Sequence, residues 1–225
     1  MRATDVAVLA DALEGGIVIE RMTSTARSKA TGRQLSKAAV KRAIGNGWLD
    51  RTHARSLDFH YRITETGLGE LAPITDGDLG DAMVIAINAH AGQVDKAGEA
   101  YILHPAAVYW IVSERFPYDT HVGVVAWLHD VVEDTSTTLD EIRDGFGLEI
   151  AKAVDAITHR PGEPRDDYYR RLATNRAALR VKRADIAHNS DPRRIEALDP
   201  ATRGRLTAKY AHATKMLDVL EGGGA

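Results

Sequence analysis

One apolar segment of this 225-residue chain carries four ionisable side chains at helical spacing. It reads Trp-Leu-His-Asp-Val-Val-Glu-Asp-Thr over residues 127–135. In a continuous α-helix His129 would lie one turn from Glu133, and Asp130 one turn from Asp134, so all four groups would share one flank. Carboxylates crowded on a core-facing helix repel one another and are costly to desolvate unless a cation joins them. The segment therefore predicts a site for a divalent metal; the alternative is an amphipathic helix that shows its acids to solvent.

Further blocks flank this segment on both sides. His-Ala-Gly-Gln begins at His90, Tyr-Ile-Leu-His-Pro spans 101–105, and Lys-Arg-Ala-Asp-Ile-Ala-His-Asn spans 182–189. Together, from about Leu79 to about Tyr210, the blocks resemble the hydrolase domain of the RelA/SpoT family of HD-domain metal hydrolases, which includes the small alarmone hydrolases. The resemblance implies a helical bundle that removes the 3′-pyrophosphate of (p)ppGpp, with Mn²⁺ as the usual metal.

The resemblance also assigns expected roles to residues of this chain. The metal ligands of the family correspond to His104, His129, Asp130 and Asp185. The pair that orients water and accepts its proton corresponds to Glu133 and Asp134. The substrate contacts correspond to Lys96 and Asn189, and Lys182 is a further candidate because it precedes Asp185 by three positions.

Asp95 stands where the family usually has an arginine that packs against guanine. A carboxylate offers no planar cationic surface, and it would repel a polyphosphate by roughly 1 kcal/mol or more at about 4 Å. The sequence therefore predicts weak binding of guanine nucleotides, which Asp95→Arg would strengthen. Two alternatives remain open: a phosphatase acting on NADPH or another nucleotide, and a DNA-binding regulator whose HD domain senses a nucleotide.

Four other polar residues each have two interpretations. His90 is expected to pack or to form a hydrogen bond rather than to ligate a metal, and His188 is expected to reach the cleft or to bond to backbone. Arg170 and Arg171 would either meet substrate phosphates or lie on a solvated helix face.

Composition limits the classes of protein that this chain can belong to. The absence of cysteine excludes disulfides, cysteine-type zinc sites and thiol nucleophiles. A net charge of −3 argues against bulk electrostatic binding to nucleic acid. We expect no transmembrane helix, since no apolar run approaches about 18 residues, and a cytoplasmic location, since no signal-peptide core is present. An oligomer remains possible.

The chain is predicted to have two domains, 1–74 and 75–225, separated where Pro, Gly and Asp interrupt both flanking patterns. Domain 75–225 is expected to be an all-helical HD bundle, which makes the protein mainly α. Its helices are predicted at 79–91, 105–115, 120–133, 139–146, 148–157, 166–174, 176–189 and 200–220.

Domain 1–74 resembles the winged helix-turn-helix regulators, a small α+β class. Its predicted elements are a helix at 5–13, a strand at 17–19, a helix at 33–44, and a hairpin formed by 48–49 and 59–64. The segment 33–46 is basic, which predicts DNA contact through Lys37, Lys41 and Arg42. The alternative is a protein–protein or dimerisation module whose basic face is merely solvated.

Overall fold

The computed structural model divides the chain into two compact units, Met1–Ile87 and Asn88–Ala225. It describes residues 8, 12, 17–19, 26–29, 34–52, 59–67, 77–96, 98–196 and 198–222. The predicted boundary near residue 74 lies outside the described residues, so the division into 1–74 and 75–225 stays a prediction.

The described part of the first unit contains a four-stranded antiparallel sheet. Its spatial order is β2-β1-β4-β3, and the strands are β1 Ile17–Ile19, β2 Ala26–Ser28, β3 Leu49–Thr52 and β4 Phe59–Ile63. The predicted strand at 17–19 and the predicted hairpin are confirmed, with Leu49 opposite Ile63. Strand β2 was not predicted, because Ala-Arg-Ser contains none of the β-branched or aromatic residues that mark a strand.

One helix of this unit, α1 Lys37–Gly45, lies in the predicted basic segment. It begins four residues later than expected because Ser36 caps it, accepting a hydrogen bond from the amide of Ala39. The side chain of Lys41 is exposed, as DNA contact would require, but that contact stays a prediction. The predicted helix at 5–13 lies outside the described residues except at Val8 and Ala12, which are helical and buried.

The rest of the described chain is helical, which confirms the mainly α class. The helices are α2 Asp78–Ala89, α3 Leu103–Arg115, α4 Thr120–Leu128, α5 Val131–Asp134, α6 Leu139–Ile157, α7 Arg165–Ala173, α8 Arg176–Asn189, α9 Pro192–Glu196 and α10 Pro200–Gly222. No helix among these described residues has the length and apolarity needed to cross a membrane. Helix α9 was not predicted, since a five-residue turn leaves no periodic pattern to read.

Helix α4 is the centre of the second unit. Its residues from Val122 to Leu128 are all buried, because an apolar or small side chain occupies every position of this stretch. Helices α3 and α8 pack against α4 and against each other. These three helices bring the predicted metal ligands together.

The predicted helix over 120–133 is wrong in one respect, because it breaks at His129 and Asp130. Asp130 has φ −108° and ψ −7°, outside regular helical geometry, and α5 starts at the next residue. As a result His129 is buried whereas Glu133 is exposed, so the two side chains do not share a flank.

Helix α6 begins with a capping box formed by Thr138 and Glu141. The Thr138 hydroxyl accepts from the amide of Glu141 at 3.3 Å, and a Glu141 carboxylate oxygen accepts from the amide of Thr138 at 2.7 Å. Gly147, at φ +83°, kinks the helix between the two segments predicted at 139–146 and 148–157.

Candidate metal centre and substrate cavity

Four predicted ligands from three elements converge on one point of the second unit. The Nε2 atom of His104 lies 3.2 Å from Oδ1 of Asp185 and 3.5 Å from Oδ2 of Asp130. The Nε2 atom of His129 lies 2.9 Å from the same Asp130 oxygen and 3.3 Å from Nε2 of His104. Ligand atoms of His104, His129 and Asp185 all lie within 4.8 Å of one another, and the three residues are buried. One cation can therefore contact His104, His129 and Asp185, and Asp130 lies beside the two histidines.

Hydrogen bonds behind the two histidines orient their rings for metal binding. Nδ1 of His129 lies 2.8 Å from the carbonyl oxygen of Ala126, which can only accept, so this nitrogen carries the proton and Nε2 keeps its lone pair. Nδ1 of His104 lies 2.8 Å from Nδ1 of His188. Burial lowers the pKa of His188 to about 3, which leaves it neutral and able to accept that proton. Both Nε2 atoms are thus directed to the cluster, as in many protein metal sites.

The two buried carboxylates of the cluster, Asp130 and Asp185, are stabilised by positive charge beside them. Burial disfavours a proton on His104, but hydrogen bonds to Asp130 and Asp185 outweigh it and raise the pKa of His104 to about 9. Burial likewise opposes ionisation of Asp130, yet the neighbouring His129 and His104 hold the pKa of Asp130 well below its ordinary value. The residues fit a divalent cation, which would replace the proton as the partner of both carboxylates.

Asp185 is held by two residues of its own helix that were predicted to bind substrate. Its Oδ2 atom lies 2.8 Å from the ammonium group of Lys182, and its Oδ1 atom accepts a hydrogen bond from the amide of Asn189. Burial opposes the charge on Lys182, but Asp185 and Tyr168 outweigh it and raise the pKa of Lys182 well above its ordinary value. Lys182 therefore enters the site as a permanent cation, 5.6 Å from the centre of the Tyr168 ring.

Tyr101 joins the metal cluster to the proposed catalytic pair. Its hydroxyl donates to Oδ2 of Asp130 at 2.6 Å and lies 3.2 Å from Oδ2 of Asp134. Burial and the charge of Asp130 raise the pKa of this hydroxyl, so it remains a donor. Gln93 donates to the backbone carbonyl of Asp134 at 3.1 Å, while its own Oε1 lies 2.8 Å from Nδ1 of His90. His90 is therefore a hydrogen-bonding residue, as expected, and is not in the metal cluster.

Glu133, the other member of the pair, is fixed from the loop that follows α6. Its Oε2 atom accepts the backbone N–H of His159 at 2.9 Å. Arg171 secures this loop with two hydrogen bonds to Glu163, each 2.8 Å long, and with another to the carbonyl of Thr158. Arg171 therefore has a structural role, whereas Arg170 pairs with Asp167 on the exposed face of its helix.

A cavity of about 420 Å³ opens directly on this cluster. It is large enough for part of a nucleotide and falls in the range of small-molecule sites. All but one of the site residues predicted from sequence line its wall: Asp95, Lys96, His104, Asp130, Glu133, Asp134, Lys182, Asp185 and Asn189. The exception is His129, which is almost completely buried behind them.

Several cations line the same cavity as the carboxylates. Lys96, Arg165 and Lys209 all line it, and none of them forms an ion pair with another part of the chain that the structure describes. Desolvation by neighbouring side chains, and then the charges of Lys182 and Arg165, lower the pKa of Lys209. Such mutual repulsion indicates a surface that is completed by an anion.

Sequence reasoning missed several residues of this cavity, namely Tyr101, Arg165, Tyr168, Arg194, Lys209 and Tyr210. Tyr101 had a usable signal, since it lies in the same short block as His104. The others lie on α7, α9 and α10, where a cation or an aromatic ring in a polar helix has no distinguishing pattern.

Comparisons with known proteins agree with this architecture. The HD domain family matches residues 82–184. A guanosine-3′,5′-bis(diphosphate) 3′-pyrophosphohydrolase of Haemophilus influenzae is 34% identical over 134 residues, which cover 55% of this chain and 19% of that protein. The bifunctional (p)ppGpp synthase/hydrolase SpoT of Escherichia coli is 31% identical over 140 residues, covering 57% of this chain and 19% of SpoT. The chain thus matches about one fifth of the length of these curated relatives.

A solved structure extends the likeness to the fold. It belongs to a metazoan ortholog of SpoT described as hydrolysing ppGpp, and it superposes with a TM-score of 0.55 at 22% sequence identity. The superposition covers 63% of this chain and 86% of that one. Residues 82–184 of the chain are therefore similar to an HD domain, and the metal-type residues lie on its packed helices.

Proposed function

We propose that this chain is a metal-dependent phosphohydrolase of a phosphorylated nucleotide, that its substrate is (p)ppGpp, and that it removes the 3′-pyrophosphate with Mn²⁺. One observation carries the proposal. Three of the four metal-type residues, the acidic pair and a group of cations without ion pairs among the described residues line one cavity of about 420 Å³, and His129 is buried beside it.

His104, His129, Asp130 and Asp185 would hold the metal. Two imidazoles and two carboxylates suit Mn²⁺ and leave positions for other ligands. A bound divalent ion supplies Lewis acidity to a phosphoryl oxygen and lowers the pKa of nearby water. Asp185 is kept in place for this role by Lys182 and Asn189.

The acidic pair takes the proton of the attacking water. Asp134 is positioned by the hydroxyl of Tyr101 at 3.2 Å and Glu133 by the backbone N–H of His159 at 2.9 Å. Attack of the water oxygen on the phosphorus that bears the 3′-oxygen forms one P–O bond and breaks another. The products are the nucleotide with a free 3′-hydroxyl and inorganic pyrophosphate, and the proton taken from water is available to the leaving 3′-oxygen.

The cations of the cavity balance the charge of the substrate. Lys182 lies beside the metal cluster, where it would stabilise charge that develops on the phosphoryl oxygens. Lys96, Arg165 and Lys209 supply three more positive charges to the same cavity. A substrate with two separate phosphate groups matches this distribution better than a monophosphate does.

The test is product analysis with the full-length protein. The protein is loaded with Mn²⁺ and incubated side by side with ppGpp and with NADPH, and the products are separated by anion-exchange chromatography. The proposal requires GDP and pyrophosphate in equal amounts from ppGpp, and little phosphate from NADPH. Release of phosphate from NADPH with intact ppGpp would contradict the substrate assignment and leave the hydrolase class in place.

A further inference from the structure

Asp95 lines the cavity, and both oxygens of its carboxylate accept hydrogen bonds. It is only 10% exposed, its Oδ1 atom accepts the backbone N–H of Glu99 at 3.0 Å, and its Oδ2 atom accepts from Arg194 at 2.8 Å. An acid whose charge is matched by a guanidinium in this way does not repel a phosphate as a bare carboxylate would. The sequence-based expectation that Asp95 repels the phosphates of the substrate therefore does not hold, because Arg194 neutralises its charge.

That partner, Arg194, comes from a different part of the chain, ninety-nine residues away on α9. It lines the cavity and is 31% exposed, so Asp95 binds one edge of its guanidinium while the group still reaches the cavity. The lining of the same cavity also includes Val94, Leu198, Leu206 and Tyr210. Leu206 and Tyr210 are one helical turn apart and thus share a face of α10.

This combination is suited to a flat, partly apolar ligand group. A guanidinium is planar and stacks on aromatic rings, and when it is pinned by a carboxylate it keeps a defined orientation. Its charge is already balanced by Asp95, whereas Lys96, Arg165 and Lys209 have no such partner among the described residues. The three cations therefore suit phosphate groups, and Arg194 suits a nucleobase.

We infer that Arg194, oriented by Asp95, is the surface against which the nucleobase of the substrate stacks. The inference rests on the proposed nucleotide hydrolase function and names a specificity-determining pair within it. Arg194 contacts the base, and Asp95 is a positioning residue that acts through Arg194. It also reverses the expectation from sequence, because Asp95→Arg would place two guanidinium groups side by side and displace Arg194 from its position.

Steady-state kinetics of the full-length, Mn²⁺-loaded protein on ppGpp test the inference. Arg194→Ala should raise KM about tenfold and change kcat less than about twofold, as expected for an interaction made equally in the ground state and the transition state. Asp95→Arg should raise KM as well. The matched control is Arg193→Ala, since Arg193 is the adjacent arginine, is 82% exposed, pairs with Asp191 and should leave KM unchanged.

A double variant separates stacking from repulsion. Arg194→Ala alone leaves the Asp95 carboxylate without this partner, so repulsion of phosphate would also raise KM. In Asp95→Asn with Arg194→Ala both charges are gone, and KM should stay about tenfold high if the lost interaction is stacking. A return of KM to the wild-type value would overturn the inference in favour of repulsion.

Competitive inhibitors identify the part of the ligand that is recognised. The inhibition constant of GDP should rise about tenfold in Arg194→Ala, whereas that of inorganic pyrophosphate should not change. Equal changes for both inhibitors, an unchanged KM, or a lowered KM in Asp95→Arg would overturn the assignment of Arg194 to the base. A wild-type protein that releases no pyrophosphate from ppGpp overturns the proposed function instead, so the two failures are distinguishable.

Discussion

At the scale of single residues, the metal cluster depends on the hydrogen bonds that its ligands make with groups behind them. Ala126 fixes the tautomer of His129, and His188 does the same for His104. The carboxylate of Asp130 is oriented by a hydrogen bond from the hydroxyl of Tyr101, although Tyr101 is not itself a proposed metal ligand. These three proposed ligands, His104, His129 and Asp130, are therefore already oriented by the protein, which would reduce the cost of binding a cation.

His104→Ala and Asp185→Ala are each expected to abolish metal loading and activity together, since each change removes a ligand from the cluster. Loss of one partner also leaves the remaining buried charges poorly compensated. Elemental analysis of the purified variants measures the metal, and circular dichroism verifies the fold. His212→Ala is the matched control, because this histidine is 51% exposed and pairs with Asp166 away from the cluster. Stoichiometric metal in both ligand variants would rule out the assignment.

Glu133→Gln combined with Asp134→Asn is expected to keep the metal and to lower kcat by roughly 10²–10⁴-fold. The amide at 133 can still accept from the backbone N–H of His159, and the amide at 134 can donate to the Tyr101 oxygen, so the geometry is retained, but an amide does not take a proton from water. The measurement is the turnover of ppGpp at equal metal content. Glu149→Gln provides a control on the exposed face of α6. Turnover close to the wild-type rate in the double variant would show that another group activates the water.

The metal-type residues could be predicted from sequence because each lies in a short block with a distinct pattern. Asp95 shows where this approach ends. The sequence shows an acid at this position, but the effect of that acid on substrate binding depends on its ion pair with Arg194. Arg194 is ninety-nine residues away and lies in no such block. A contact of this kind is fixed by tertiary packing, for which a single sequence contains no local signal.

At the scale of secondary-structure elements, periodicity located the long helices and failed where side-chain contacts override it. The break between α4 and α5 falls at His129 and Asp130, where the pattern continues without interruption. Asp130 makes contacts of 2.9 Å with His129 and 2.6 Å with Tyr101, and it has no capping hydrogen bond to α5. We attribute the break to these contacts, which replace regular helix geometry at the site.

The loop after α6 is expected to make stability depend on pH through Glu163. Hydrogen bonds from Arg171 lower the pKa of Glu163 from 4.5 to about 2. Because the pKa is lower in the folded state, the pair stabilises the fold above about pH 4.5, and this contribution is lost as the pH falls towards 2. Glu163→Gln should therefore cost roughly 1–3 kcal/mol at pH 7 and progressively less below pH 4.5.

Urea unfolding of the wild type and of Glu163→Gln at pH 7, 4.5 and 3 measures this difference in the free energy of unfolding. Other carboxylates titrate in the same range, but they do so in both proteins and cancel in the comparison. Thr174→Ala is a control at the end of the neighbouring helix α7, where the hydroxyl bonds only to the carbonyl of Arg171. A difference that stays constant from pH 7 to pH 3 would contradict the assigned role of the ion pair.

At the scale of the whole molecule, the secondary structure of the second unit could be predicted from sequence more completely than that of the first. The second unit has long amphipathic helices and the short sequence blocks that contain the proposed site residues, and its mainly α architecture was predicted. In the first unit the hairpin and β1 were predicted, whereas β2 and the order of the sheet were not. Short strands pair with distant partners, so their arrangement depends on the complete sheet rather than on local propensity.

Residues 75–225 alone are expected to fold, to bind metal and to keep phosphohydrolase activity. Every proposed site residue lies after residue 90, and the HD domain match begins at residue 82, so this fragment contains both together with the whole of α2. A shorter fragment, 90–225, is the matched comparison, because it lacks α2 and with it the first residues of the HD match.

We expect 75–225 to unfold cooperatively on heating and to hydrolyse ppGpp with a KM close to that of the full chain, and 90–225 to be less stable. Thermal unfolding followed by circular dichroism, metal analysis and kinetics measure the three properties. If 75–225 is insoluble, or folds and binds metal without activity, the first 74 residues contribute to the core or to the cleft, and the two-domain prediction is wrong.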